Sequence, residues 1–294
     1  MRYEGTVYRP PSEGDSLIIQ ATVGCPHNRC RFCKLYKKKR FRIRKLADIL
    51  EDVDTAGQYY PSRFVRTVFL ADGNTVIMRT AHLLQILERI REVFPAVQRV
   101  TSYGASQYFM KKSPQEWREL RDAGLSRIHC GMETGHDPLL ALTNKGCTAN
   151  DHITGGLRVR EAGIELSMYY LAGLGGLAMW EGHAVDSARV LNAVAPEFIR
   201  QRTFTPMRGT PMGDDFASGA FALPEPHDVL KELRLMVEHL DTPSLFYSDH
   251  WLNFADVHGV LPEDKPRMLA AIDRALTLPR EAFRETGFLS RNTL

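Results

Sequence analysis

Three of the five cysteines in this 294-residue sequence, Cys25, Cys30 and Cys33, fall within nine residues at C-x4-C-x2-C spacing. Thiolates are soft ligands that suit iron and zinc. Three in one loop can hold three corners of an iron–sulfur cluster, a group that usually takes four cysteines. The next cysteines, Cys130 and Cys147, are far along the chain, so one iron would stay open to a small molecule. The same three thiolates with His27 also satisfy zinc. The cysteines alone leave both metals open. An odd number of cysteines, three of them clustered, argues against a disulfide framework.

The cysteine loop must be held by regular structure, and the surrounding pattern supplies it. Residues 17–23 (LIIQATV) read as a buried strand that runs straight into the loop. Five further apolar runs follow, at 67–71, 97–103, 126–132, 164–171 and 197–204. Segments of helical period separate them, at about 45–58, 80–93, 114–124, 138–142, 151–162 and 182–193. Strands alternating with helices imply right-handed βαβ units and a parallel sheet. The expected fold class is α/β, a partial (β/α)6 TIM-like barrel with a C-terminal capping extension. Residues 1–16 read as a leader, 17–204 as the barrel, and 205–294 as a loop and helical cap. The Gly/Pro-rich stretch 205–224 is too long for a plain connection and reads as a functional loop.

Composition narrows the class further. An apolar content of 44% with 25% charged residues is that of a globular protein. No apolar run approaches a membrane span, and the N-terminus does not read as a signal peptide, so a cytoplasmic protein with no membrane partner is expected. The net charge of +3 neither implies nor excludes a nucleic-acid partner. The basic residues are concentrated, however, with eight in the twelve residues 34–45. That run is a solvated face, a docking rim for an acidic carrier, or a site for an anionic substrate.

The cysteine pattern resembles that of the radical S-adenosylmethionine (SAM) superfamily, as a less common variant with one extra residue in the first gap. The resemblance implies a [4Fe-4S] cluster on Cys25, Cys30 and Cys33, SAM chelated by the fourth iron, and Phe32 near the adenine. It also implies a reductant of flavodoxin or ferredoxin type. In such barrels ligands gather at the carboxyl ends of the strands. The second strand ends in Asp72-Gly73-Asn74, where the superfamily holds the SAM amino group. Only one glycine of the family's pair is kept, with the acidic Asp72 before it.

The third strand ends in Ser102-Tyr103, which would line the SAM pocket. The fourth ends in Gly131-Met132-Glu133-Thr134-Gly135, similar to the Gly-x-Glu-Ser-Gly of the branch that includes tRNA methylthiotransferases. There Glu133 would accept hydrogen bonds from SAM; the alternative is a salt bridge to Arg127 or Lys145. Gly173 opens a glycine motif expected to contact adenine. Arg200 and Arg202 share one face of the sixth strand. If inward, they suit the SAM carboxylate, the assignment made for Arg202, or an anionic substrate; if outward, they cover a helix. His250 and Cys147 are the weak catalytic candidates, an acid or base and a hydrogen donor, while Cys130 reads as a core residue. The implied function is reductive cleavage of SAM to a 5′-deoxyadenosyl radical that abstracts hydrogen from an unidentified substrate. The rival is a non-catalytic iron–sulfur or zinc protein, an electron carrier or redox sensor.

Overall fold

The computed structural model describes residues 1–288; the last six residues of the expected cap, 289–294, lie outside the described residues. The chain divides into two compact units. One comprises Met1–Asn28, Leu35–Cys130 and Gly155–Leu166, the other Arg29–Lys34, Gly131–Thr154 and Ser167–Leu294. In chain order the elements begin β1 (Leu17–Gln20), β2 (Thr22–Val23), β3 (Arg42–Ile43), α1 (Leu46–Tyr59), β4 (Thr67–Ala71) and α2 (Thr80–Val93). Next come β5 (Arg99–Gly104), α3 (Ser106–Phe109), α4 (Pro114–Ala123), β6 (Leu125–Glu133), α5 (Asp137–Leu142), α6 (Ala149–Glu161) and β7 (Glu165–Ala172). The chain continues with α7 (Trp180–Val194), β8 (Phe198–Thr203), α8 (Pro211–Ala217), α9 (Pro226–His239), β9 (Leu245–Tyr247), β10 (His258–Val260) and α10 (Lys265–Leu276).

In the first unit β1, β4, β5 and β6 lie side by side, all parallel. Val68 to Ala71 are all buried, the continuous apolar run of a strand covered on both faces. Helix α4 shows how locally the boundaries are written. Ser113 and Glu116 form a reciprocal capping box, Pro114 opens the first turn, and Gly124 ends the helix at φ 112°. In the second unit the order is β7–β8–β9–β10, with β10 alone antiparallel.

Three departures from the sequence expectation matter for the site. The run 17–23 is two strands, not one. After Gln20 the chain leaves the parallel ladder, and Thr22–Val23 pairs antiparallel with Arg42–Ile43, which closes the cysteine loop at its base. The stretch 205–224 is not all loop, because Thr210 caps α8 by accepting from the Gly213 N–H at 3.1 Å. The tail also contributes the strands β9 and β10 rather than helices alone.

Candidate active site

The turn after β4 packs directly on the start of the cysteine loop. The Gly73 N–H donates to the Gly24 carbonyl at 3.2 Å. A β-carbon on Gly73 would meet Tyr36 at 2.9 Å, the Gly24 carbonyl at 3.1 Å and the Cys25 β-carbon at 3.2 Å. Only glycine allows this approach. Within the loop the Asn28 N–H points at Cys25 Sγ, 3.5 Å away, and the Asn28 side chain donates to the Tyr36 carbonyl at 2.8 Å. In the second unit the Cys33 N–H closes a turn onto the Cys30 carbonyl at 3.4 Å. All five cysteines are thiols outside disulfides.

Asp72 is fully buried and its two oxygens differ. Oδ2 accepts from Gln20 Nε2 at 3.1 Å, from the Gly24 N–H at 3.1 Å and from Lys39 Nζ at 3.0 Å. Oδ1 is buried with no hydrogen-bond partner among the described residues. Asn74, two residues on and also fully buried, leaves both Oδ1 and Nδ2 without one. An unmade hydrogen bond on a buried polar atom costs about 1–3 kcal/mol, and three such atoms fall within three residues here. Sequence reading named Asp72 and Gly73 but gave Asn74 no role, since an Asn after a strand also reads as a turn residue.

A profile of the Radical SAM superfamily matches residues 19–186, more than half of the chain. The chain belongs to the radical SAM superfamily. Its members are enzymes of SAM-dependent radical chemistry that use a substrate and a reductant, and its cofactors are a [4Fe-4S] cluster and SAM. The sequence comparison with curated proteins gives no match. Three solved structures share the fold. The chain is 16% identical to methylornithine synthase (PylB) with a TM-score of 0.51, over 78% of this chain and 64% of that one. It is 20% identical to the radical SAM methyltransferase TsrM from Kitasatospora setae at 0.55, over 69% and 39%. It is 15% identical to coproporphyrinogen III oxidase (HemN) from Escherichia coli at 0.54, over 76% and 52%. The chain therefore spans less than two thirds of each of these proteins. The mixed α/β class with a partial-barrel fold, expected from the sequence, is that of this radical SAM chain.

Among the described residues no three His, Cys, Asp or Glu side chains are gathered to hold a metal ion, so the fit to the two cofactors rests on donor chemistry. Three thiols lie on one loop, and the orphaned Asp72 Oδ1 is an acceptor suited to an ammonium such as the SAM amino group. The asymmetric Asn74 amide offers a donor and an acceptor together.

The other expected residues are placed more variously. Ser102 does not share a face with Tyr103. Tyr103 packs edge-on against Phe69 at 5.1 Å and lies opposite His129, whereas Ser102 is buried on the other pleat and donates to the Tyr103 carbonyl at 2.9 Å. Glu133 sits at φ 67° and its carboxylate meets Lys145 Nζ at 3.1 Å, the alternative raised from the sequence. The glycines beside it make room for the chain itself. A β-carbon on Gly131 would collide with the Glu133 carboxylate, and one on Gly135 would strike the Asp186 carbonyl of α7 at 2.5 Å. Phe32 packs on the cluster of Leu139, Leu174, Phe204 and Met212, with Lys145 Nζ 5.9 Å from its ring.

Gly173, at φ 81°, uses its N–H on Glu232 Oε1 at 2.9 Å. Glu232 belongs to a network that sequence reading missed. It accepts from the Tyr170 hydroxyl at 2.7 Å and stands 3.4 Å from His183, which contacts Thr134 Oγ1 at 2.8 Å. Burial lifts the Glu232 carboxyl to about 8 against the hydrogen bonds from Tyr170 and Gly173, and burial lowers His183 to about 3. Both shifts favour the neutral acid and the neutral imidazole, and the network holds the Gly173 loop through Glu232 Oε1.

His250 is half-buried, and burial followed by the nearby Arg202 charge lowers it to about 4, so its ring is neutral. Its Nδ1 accepts from the Leu252 N–H at 3.3 Å. Cys147 Sγ lies 3.4 Å from Nε2 of His152, a buried ring that burial lowers to about 3. Arg200 and Arg202 lie on the face of β8 opposite Tyr170, the residue that packs toward α7 and α9. Of the basic run, Lys39 is pinned to Asp72 and Arg44 to Asp52, at 3.0 and 2.7 Å, while Lys37, Lys38 and Arg40 are exposed. Among the described residues no helix is long and apolar enough to cross a membrane.

Proposed function

We propose that this chain cleaves SAM reductively and uses the resulting 5′-deoxyadenosyl radical to take a hydrogen atom from a small substrate. The observation that carries the reading is the set of orphaned polar atoms on Asp72 and Asn74, beside the loop that begins at Cys25. Cys25, Cys30 and Cys33 would hold the cluster, which when bound supplies the electron for SAM cleavage. Asp72 and Asn74 would bind the amino-acid end of SAM. Gly73 keeps the backbone close enough for the Asp72 carboxylate and the cysteine loop to share one ligand. Phe32 and Gly173 would lie along the adenosine, with Gly173 held in its left-handed turn by Glu232. Glu133 would accept from the ribose or the amino acid, with Lys145 orienting it.

The exposed Lys37, Lys38 and Arg40 offer a docking rim for an acidic flavodoxin- or ferredoxin-type reductant, which charge would steer. Lys39 is not part of that rim, since its ammonium neutralises Asp72. Thiols outside disulfides fit a reducing cytoplasm. Residues 205–288 are read as the substrate-side cap.

The test is chemical. Anaerobic reconstitution with iron and sulfide should give a brown protein that converts SAM to methionine and 5′-deoxyadenosine under a low-potential reductant. Cys25→Ala, Cys30→Ala or Cys33→Ala should each remove most of the iron and all cleavage, while Cys130→Ala and Cys147→Ala keep the iron. A colourless zinc protein would overturn the reading.

A further inference from the structure

Arg200 is an under-satisfied charge in the second unit. It is 8% exposed, and its Nε is buried with no hydrogen-bond partner among the described residues. The nearest carboxylate, Asp249, is 3.9 Å from Nη1, beyond hydrogen-bonding distance. Arg202 lies two residues on, on the same face, with a side chain 14% exposed. Its Nη1 donates to the Gln201 carbonyl at 2.9 Å and stands 3.5 Å from Asp249. Burial pushes the Arg202 guanidinium below its usual range.

Both groups are held from the side by rings. Arg200 lies over Tyr247 at 4.9 Å, and Arg202 over Tyr169 at 5.5 Å. Strand register explains the grouping, because Tyr169 and Tyr247 are the two residues that flank Arg200 on β7 and β9. Tyr170, on the opposite pleat, faces α7 and α9 through His183 and Glu232. The arginine face is thus the one those helices do not cover.

The local charge does not balance. Among the described residues two guanidinium groups face one carboxylate, and Asp249 is itself half exposed. Cation–π contacts fix the orientation of a guanidinium but leave its in-plane N–H donors open. Such a planar fork, rigid and unsaturated, matches an anionic oxygen group. Depth along the strand separates this place from the strand-end positions. Ala172, just before Gly173, is level with Thr203, the last residue of β8, and Arg200 lies three residues earlier. At about 3.3 Å per residue, Arg200 sits roughly 10 Å below that level.

We propose that Arg200, with Arg202, binds a carboxylate or phosphate group of the substrate. The proposal rests on the reading of the chain as a SAM-cleaving enzyme and names the chemistry of what it acts on. It also moves Arg202 from the SAM carboxylate to the substrate. The neutral ring of His250, beside Arg202, would then face the same anion without adding charge.

The experiment uses the anaerobically reconstituted protein. Its melting temperature is followed as acetate or inorganic phosphate replaces chloride at fixed ionic strength, and the SAM dissociation constant is measured on the same sample. At least one of the two anions should raise the melting temperature by mass action. Arg200→Met should abolish that rise, and Arg200→Lys, which keeps the charge and loses the fork, should remove most of it if the Met variant does not fold. Asp249→Asn should enlarge it. SAM affinity should stay within about twofold in the Arg200 variants. A rise equal in wild type and Arg200→Lys, or no rise with either anion, would overturn the proposal. A tenfold loss of SAM affinity in Arg200→Lys would also overturn it, by giving the arginines to SAM. Loss of SAM binding in the wild type, with the anion effect intact, would instead strike the enzymatic reading.

Discussion

Two buried acids at opposite ends of the strands in the first unit, Glu13 and Asp72, are treated in opposite ways. Near the amino ends of β1, β4 and β5, Glu13 is fully buried and fully engaged. It pairs with His129 Nε2 at 3.0 Å, accepts from Ser16 Oγ at 2.6 Å and faces Arg99 at 3.4 Å. Ser16 in turn donates to Thr67 Oγ1 at 2.8 Å. At the carboxyl end of β4, Asp72 and Asn74 are buried as deeply, yet three of their polar atoms have no partner among the described residues. Burial is the same; saturation differs. A saturated group contributes stability, whereas an unsaturated one costs free energy unless something else completes it; the amino end is not saturated throughout, since Ser12 Oγ and Arg99 Nε are also buried without a partner among the described residues.

Each end can be broken separately. The largest expected effect after cluster loss is at Glu13. Glu13→Ala leaves the buried His129 without its acid, and breaking a buried pair costs about 3–5 kcal/mol. The melting temperature should fall by several degrees with iron content and SAM affinity kept. A fall in SAM affinity at normal stability would contradict the division of labour.

The same residue makes a pH prediction. Burial alone would raise Glu13, but the hydrogen bonds from His129 and Ser16, with the charges of His129 and Arg99, outweigh it and hold the carboxyl at about 2. An unfolded Glu titrates near about 4.3. A depressed folded value stabilises above the unfolded one, and that stability is lost as pH falls through the folded one. Acid unfolding should therefore steepen between about pH 4 and 2, and Glu13→Gln should start less stable and show a flatter acid limb. Parallel acid limbs would mean that the pair is not ionised.

A smaller effect is expected where the two behaviours mix. Glu133 has both a partner, Lys145, and a place at a strand end. Glu133→Gln keeps the shape and removes the charge. A charge-assisted hydrogen bond is worth about 1.5–3 kcal/mol, so SAM should bind roughly ten- to a hundredfold more weakly with iron unchanged. A lower melting temperature with unaltered SAM affinity would make Glu133 only the partner of Lys145.

Much of this was legible before the structure. The apolar runs marked six of the strands, because a parallel sheet buries both faces and leaves continuous hydrophobic stretches. Cys25, Cys30 and Cys33 stand out because thiol spacing is itself the signal, and the superfamily they pointed to is the one that the chain belongs to. Pairing and facing were not. Nothing local distinguishes Ser102 from Tyr103 until the register sets which pleat meets Phe69. Lys39 looked like one more surface lysine, and its bond to Asp72 depends on a contact 33 residues away. The Glu232–Tyr170–His183 network joins an acid on α9 to residues 62 and 49 positions earlier, with no motif to mark it. Asn74 was invisible for another reason, since an unmade hydrogen bond has no sequence signature.

Asn74 therefore offers the most direct test. Asn74→Leu replaces the unpartnered amide by an apolar group of similar shape. Removing unsatisfied buried polar atoms is close to neutral or stabilising. Melting temperature and SAM affinity should be measured on one anaerobically reconstituted sample. The expected result is a melting temperature equal to or above wild type, normal iron content, and SAM binding weaker by about tenfold or more. A destabilised variant that binds SAM as wild type does would show that the amide serves the fold, and that the unsaturated end of β4 is not the SAM site.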